Sequence, residues 1–210
     1  MGLKQVDFMG VDADIRNDLI RMCDLNSDHN LLALKLNELK EAMEKHPWVR
    51  SVTMERRLPD TLLIKAEKEE PLALILLEKI YYVNRHGEIF KEVDRTEQID
   101  LPIITGVSKD SEGIGVRLKR ATKIMEHLKS ERGLWSLSEL SEIHLNGSGG
   151  ISLYFNHLTA EIKLMCEDPT DQIEGLKKVA EHLTRTGRIH HVTAIDLNHV
   201  DGALVSFKKG

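Results

Sequence analysis

Aromatic residues are scarce in this chain, 4% of 210, so aliphatic side chains must fill most of any core. Long apolar runs are missing as well. No stretch approaches the roughly 18 residues a membrane-spanning helix needs, and the first residues lack the charged, apolar and small-residue succession of a signal peptide. The two cysteines, Cys23 and Cys166, lie far apart and outside any CxxC spacing. Two small buried thiols are the simplest reading, since a disulfide would have to join separate parts of the chain. Neither sign of charge dominates: the net charge is −5 with both signs mixed, which excludes the concentrated basic face of a nucleic-acid binder.

Chemical signatures are equally thin. Ten histidines are present, yet no HExxH, HxH or Cys/His cluster points to a metal site. His190-His191 are read as extended neighbours facing opposite ways. No nucleophile elbow of the GxSxG kind occurs. Asn146-Gly147-Ser148-Gly149-Gly150 is glycine-rich but joins two strand-like segments, so it reads as a hairpin turn; a phosphate cradle needs a strand leading into a helix. Glu67, Glu69 and Glu70, interleaved with Lys65 and Lys68, read as a solvated strand edge that discourages unwanted pairing. No catalytic, cofactor-binding or metal-ligating residues are expected.

What is present is a chain that can fold, 41% hydrophobic and 30% charged, organised around His46 to Ala73. Pro47 ends the helix before it, having no N–H donor. Val52 and Met54 alternate with Ser51, Thr53 and Glu55, Pro59-Asp60 supplies a turn, and Leu62, Ile64 and Ala66 face one side beyond it. Trp48 is assigned to the core; Leu58 and Pro59 fit either the core or an exposed docking patch. Ahead of this hairpin, Leu3 to Phe8 suits a short strand. Asp12 or Asp14 can cap a helix over Ile15, Leu19 and Met22, and Leu32, Leu36, Leu39 and Met43 make the stripe of a second helix.

Beyond it, Leu72 to Leu77 and Ile80 to Val83 are apolar runs, and Asn84 to Gly87 is a hairpin turn before Glu88 to Lys91. Leu101 to Gly106 closes a strand on a glycine. Leu118, Ala121, Met125 and Leu128 mark a third helix, and Trp135 lies at a helix–strand junction. Ile143 to Leu145, Ile151 to Phe155 and Ala160 to Met165 read as strands. Asp168-Pro169 opens a fourth helix over Ile173, Leu176, Ala180 and Leu183, which Gly187 ends. Thr193 to Leu197 and Ala203 to Phe207 form a last strand pair.

The order Pro47-Trp48-Val49, Arg56-Arg57-Leu58-Pro59-Asp60-Thr61-Leu62 and Glu67-Lys68-Glu69-Glu70-Pro71-Leu72-Ala73 resembles the POTRA domain of the FtsQ/DivIB cell-division family. One position departs, Leu58 standing where relatives often carry Trp. The resemblance implies an α+β fold: a POTRA domain over 1–72, with two helices on a three-stranded sheet, then a larger mixed α/β domain over 73–210 with a mainly antiparallel sheet. It further implies a non-enzymatic scaffold of the division septum in the periplasm. A single N-terminal transmembrane helix, preceding Leu3, would anchor it in the inner membrane.

The last strand is the candidate site. Gly202-Ala203-Leu204-Val205-Ser206-Phe207 is nearly uncharged and apolar on both faces, and as a terminal strand it readily lies at a sheet edge. One free flank could accept a strand from another protein, with Leu204 and Phe207 as anchors on opposite faces. The resemblance places contacts to FtsB- and FtsL-like partners on Asn198, His199, Asp201, Gly202, Ala203, Leu204, Val205 and Phe207. FtsK-, FtsW- and FtsI-like proteins are further partners it implies, and nucleic acid is not among them. The rival readings are a POTRA-type chaperone for outer-membrane strands and a cell-wall hydrolase.

Overall fold

A computed structural model of the chain describes residues 2–25, 29–97, 99–147, 149–165, 170–199 and 202–208. It falls into two units, Met1–Glu70 and Pro71–Gly210. In the first, strand β1 (Gln5–Met9), helices α1 (Ala13–Met22) and α2 (Leu36–Met43), and strands β2 (Val49–Arg57) and β3 (Thr61–Lys68) follow in order. The sheet order is β1-β3-β2, with β1 parallel and β2 antiparallel to β3. Asp12 caps α1 by accepting from the Ile15 amide at 3.2 Å. Ile15 and Leu19 of α1 and Met43 of α2 join Val49, Val52, Leu62, Ile64 and Ala66 in one core. Trp48 is half-buried against this core, and the Lys68 ammonium lies 5.9 Å from its ring centroid.

Three expectations in this unit need correction. The second helix begins at Leu36, so Leu32 is off it and 59% exposed, while Leu31 is fully buried in its place. The cause is local: the Asn30 side chain accepts from the Leu32 amide, and its carbonyl accepts from Ala33 and Leu34, which winds a separate turn. Met22, placed on the buried stripe of α1, is 48% exposed at the helix end. In the acidic cluster Glu67 and Glu70 are exposed as expected, but Glu67 lies on the central strand and guards no edge, and Glu69 is buried, its amide donating to the Trp48 carbonyl. Leu58 and Pro59 are exposed at the β2–β3 turn.

The second unit carries β4 (Pro71–Leu76), β5 (Ile80–Asn84), β6 (Ile89–Glu92), β7 (Ile103–Thr105), α3 (Ile114–Ser130), β8 (Leu140–Leu145), β9 (Ile151–Phe155), β10 (Leu158–Leu164), α4 (Thr170–Arg185), β11 (Val192–His199) and β12 (Gly202–Phe207). They form a nine-stranded sheet in the order β12-β11-β10-β9-β8-β7-β4-β5-β6. Three neighbouring pairs are parallel, β4–β7, β7–β8 and β10–β11; the remaining pairs are antiparallel, so the sheet is mixed and mainly antiparallel. The helices explain two of the parallel pairs, since α3 and α4 each cross from one strand to its parallel neighbour. Leu118, Ala121, Met125 and Leu128 of α3 share a core with Ile173, Leu176 and Leu183 of α4 and with sheet residues that include Ile75, Ile104, Ile143, Leu153, Ile162 and Ile195. Both helices therefore cover the same face of the sheet.

Two glycines of this second unit are required by close packing. Gly87 (φ +74) closes the β5–β6 turn where a Cβ would come within 2.7 Å of the Lys119 amide nitrogen, and Gly106 (φ +80) ends β7 against the Leu145 carbonyl at 2.4 Å. Asn84 is buried in the first of these turns, its side-chain oxygen accepting from the amides of His86 and Glu88. His190 and His191 sit in a 3-10 turn before β11, not in an extended stretch. Cys23 is a free, half-buried thiol, whose pKa burial pushes up. Cys166, Asp168 and Pro169 lie outside the described residues.

Candidate functional site

Strand β12 forms because Ala203, Val205 and Phe207 alternate with Gly202, Leu204 and Ser206, giving one face to the core and one to solvent. It pairs antiparallel with β11, with Ile195 opposite Val205, Asp196 opposite Leu204 and His199 opposite Gly202. It is also the end strand of the sheet. Among the described residues β11 is its one pairing partner, so the main-chain groups of its outer flank are not used in the sheet.

The two expected anchors differ in availability. Leu204 points away from the core and is 59% exposed. Phe207 packs against the chain's own core, and the Arg188 guanidinium lies over its ring at 4.0 Å. Phe207 is thus committed within the molecule, while Leu204 is free to meet another surface.

Beside this edge runs a groove of about 520 Å³ between α4 and the ends of β11 and β12. Val179, Leu197 and Ala203 give it an apolar lining, to which Asp171 and Lys178 add charged side chains. Four of the residues expected from the sequence line it: Asn198, His199, Gly202 and Ala203. Asn198 is held in place because its amide donates to the Asp196 carboxylate at 3.0 Å, and Gln172 of α4 donates to the Leu197 carbonyl at 3.0 Å. Leu204, Val205 and Phe207 lie along the strand beyond the groove, and Asp201 lies outside the described residues.

Sequence reasoning missed Gly175. It occupies the middle of α4, where glycine costs about 1 kcal/mol relative to alanine, and it lines the groove with nothing within 4 Å of where a Cβ would stand. A helix-interior glycine on an otherwise amphipathic stretch was the available signal. Arrangements that would suggest other chemistry are accounted for locally. Asn146 to Gly150 joins two antiparallel strands, and Arg117 of α3 caps it by donating to the Leu145 and Asn146 carbonyls at 2.8 Å. Among the described residues no group of three His, Cys, Asp or Glu side chains could hold a metal, and no helix is long and apolar enough to cross a membrane.

Comparison with known proteins matches residues 1–67 to the FtsQ-type POTRA domain and residues 73–198 to the C-terminal domain of cell division protein FtsQ/DivIB. The chain is 30% identical over 195 residues to cell division protein FtsQ of Geotalea daltonii, covering 90% of this chain and 70% of that protein. It is 26% identical over 183 residues to FtsQ of Syntrophotalea carbinolica, covering 84% and 64%. Cell division protein DivIB of Solibacillus silvestris is 29% identical over 145 residues, 69% of this chain and 47% of its own length. The chain thus spans about two thirds of the length of these two FtsQ relatives and about half of the DivIB one.

Proposed function

As the chain belongs to the FtsQ/DivIB family of cell-division proteins, we propose that it is a non-enzymatic connector of the division septum, binding partner proteins by strand addition at β12. The whole protein is held in the inner membrane by one N-terminal helix, with the residues described above in the periplasm. Its partners are FtsB- and FtsL-like proteins, and through them, or directly, FtsK-, FtsW- and FtsI-like proteins. The observation that carries this reading is the open flank of β12 beside an apolar groove. A partner segment extended along β12 would satisfy main-chain donors and acceptors, with Leu204 and the groove supplying side-chain anchors. Affinity built that way depends little on single surface charges. The carried-over contacts at Asn198, His199 and Asp201 would then act mainly through backbone and shape.

The deciding experiment is a pull-down with the extracytoplasmic parts of FtsB- and FtsL-like proteins, using the intact chain, a chain ending at Asp201, and Val205→Pro. The proline removes an amide and should weaken both the strand and the binding. The intact chain should retain the partners, and the two variants should lose at least about tenfold in affinity, or about 1.4 kcal/mol, while circular dichroism reports a folded protein. Equal retention by the shortened chain overturns strand addition. Capture of unfolded outer-membrane strands, without division proteins, would point to the chaperone reading instead. Peptidoglycan turnover abolished by a single His or Glu substitution would establish an enzyme.

A further inference from the structure

The exposed leucines of the first unit gather where the chain enters it. β1 runs parallel to β3, and its first residue, Gln5, stands opposite Thr61. The entering chain is fixed there, the amides of Lys4 and Gln5 donating to the Asp60 carbonyl at 2.9 and 3.3 Å. Next to Asp60, at the tip of the β2–β3 turn, Leu58 is 67% exposed. The turn over residues 31–34 belongs to the same end, because Arg56 donates to the carbonyls of Leu31 and Leu34. Leu32 in that turn is the exposed leucine noted above, and neither it nor Leu58 contributes to the unit's core.

Cations frame the two leucines. Lys4 reaches Asp60 only at 3.5 Å and Arg57 reaches Glu55 only at 3.9 Å, with both cationic side chains more than half exposed. Among the described residues no carboxylate pairs with Arg56, whose guanidinium is oriented by main-chain carbonyls instead. Lys35, just beyond the turn, is paired to Glu38 at 2.7 Å and adds little. Aliphatic tips with arginine and lysine beside them suit the boundary between acyl chains and phosphate headgroups.

We propose that this end of the first unit rests on a membrane surface, with Leu32 and Leu58 entering the headgroup layer and Lys4, Arg56 and Arg57 facing anionic lipid. The inference rests on the anchored reading given above. An anchor upstream of β1 leaves the unit at this end and keeps it close to the bilayer. Two leucines are too few to hold a free protein on a vesicle, but a tether raises their effective concentration enough to set the unit's orientation. Anionic lipid adds attraction that fades within a Debye length and with salt.

The test supplies the tether artificially. The full chain carries an N-terminal hexahistidine tag and is bound to vesicles holding a nickel-chelating lipid, phosphatidylglycerol and brominated lipid. Leu32→Trp and Leu58→Trp are compared with wild type, whose own tryptophans are Trp48 and Trp135, and with Met9→Trp, an exposed position at the other end of β1 in the same unit. Expected are a blue shift and loss of the added emission for the first two variants, stronger with phosphatidylglycerol than with neutral lipid, and neither change for Met9→Trp. No added quenching at either leucine, or equal quenching at Met9, overturns the proposal. Equal quenching on neutral and anionic vesicles overturns the role given to the three cations. Recovery of the whole protein in the soluble fraction of cells overturns the anchoring reading instead, and the vesicle result stands apart from it because the tag replaces the anchor.

Discussion

His157 is half-buried, but both of its ring nitrogens are shielded from solvent. Among the described residues neither has a hydrogen-bond partner, and the Trp135 ring meets the imidazole edge-on with centroids 4.9 Å apart. Burial lowers its pKa from the ordinary 6.5, while the Glu139 charge pulls it weakly back. The unfolded imidazole therefore takes up its proton first as pH falls. The stability from this site is complete above pH 6.5 and is lost as pH drops from there through the folded value. His157→Phe should flatten that acid-side loss, which urea denaturation on either side of pH 6.5 would detect; an unchanged slope would mean that other groups set it. Single residues also mark where sequence reading reached its limit. Leu32 fitted the i, i+4 stripe of the second helix, but the Asn30 side chain competes for nearby amides and starts a different turn. Periodicity carries no record of such a local competitor.

At the scale of elements, α4 combines a legible feature with a hidden one. Its stripe of Ile173, Leu176, Ala180 and Leu183 was readable from spacing, and all four are buried. The notch at Gly175 was not, because it acquires meaning only from the groove where β11 ends and β12 begins. Gly175→Ala should stabilise the chain by roughly 0.5–1 kcal/mol through helix propensity, raising the melting temperature. Gly175→Leu should fill the notch and reduce retention of the FtsB- and FtsL-like segments in the pull-down, with the fold intact. Undiminished retention would remove the groove from the interface and leave β12 alone. The hairpins were the most legible elements, since Pro59-Asp60 and Asn84 to Gly87 combine turn chemistry with alternating flanks. The histidine pair was misjudged for lack of such punctuation: a 3-10 turn of three residues leaves no periodic trace.

At the scale of the whole molecule, each unit has a core of its own, one built on Leu19, Leu31, Met43 and Ile64, the other on Ile75, Met125, Leu153 and Ile195. Residues 71–210 expressed alone should therefore melt cooperatively and retain partner binding, since the β12 edge and the groove lie wholly within them. Calorimetry of that segment beside the full chain checks this, and a broad, non-cooperative transition would count against independent folding.

The sequence by itself determined which segments become helices and strands, which faces turn inward, and that few aromatics leave aliphatic cores to do the packing. Those properties follow from side-chain periodicity and turn chemistry, which act over a few residues. Only the tertiary structure decided that β3 lies inside its sheet, that β4 pairs with β7 as well as β5, and that β12 ends the larger sheet with, among the described residues, one flank unused. Strand order is settled by which apolar faces the helices cover together, and that depends on contacts between residues far apart along the chain.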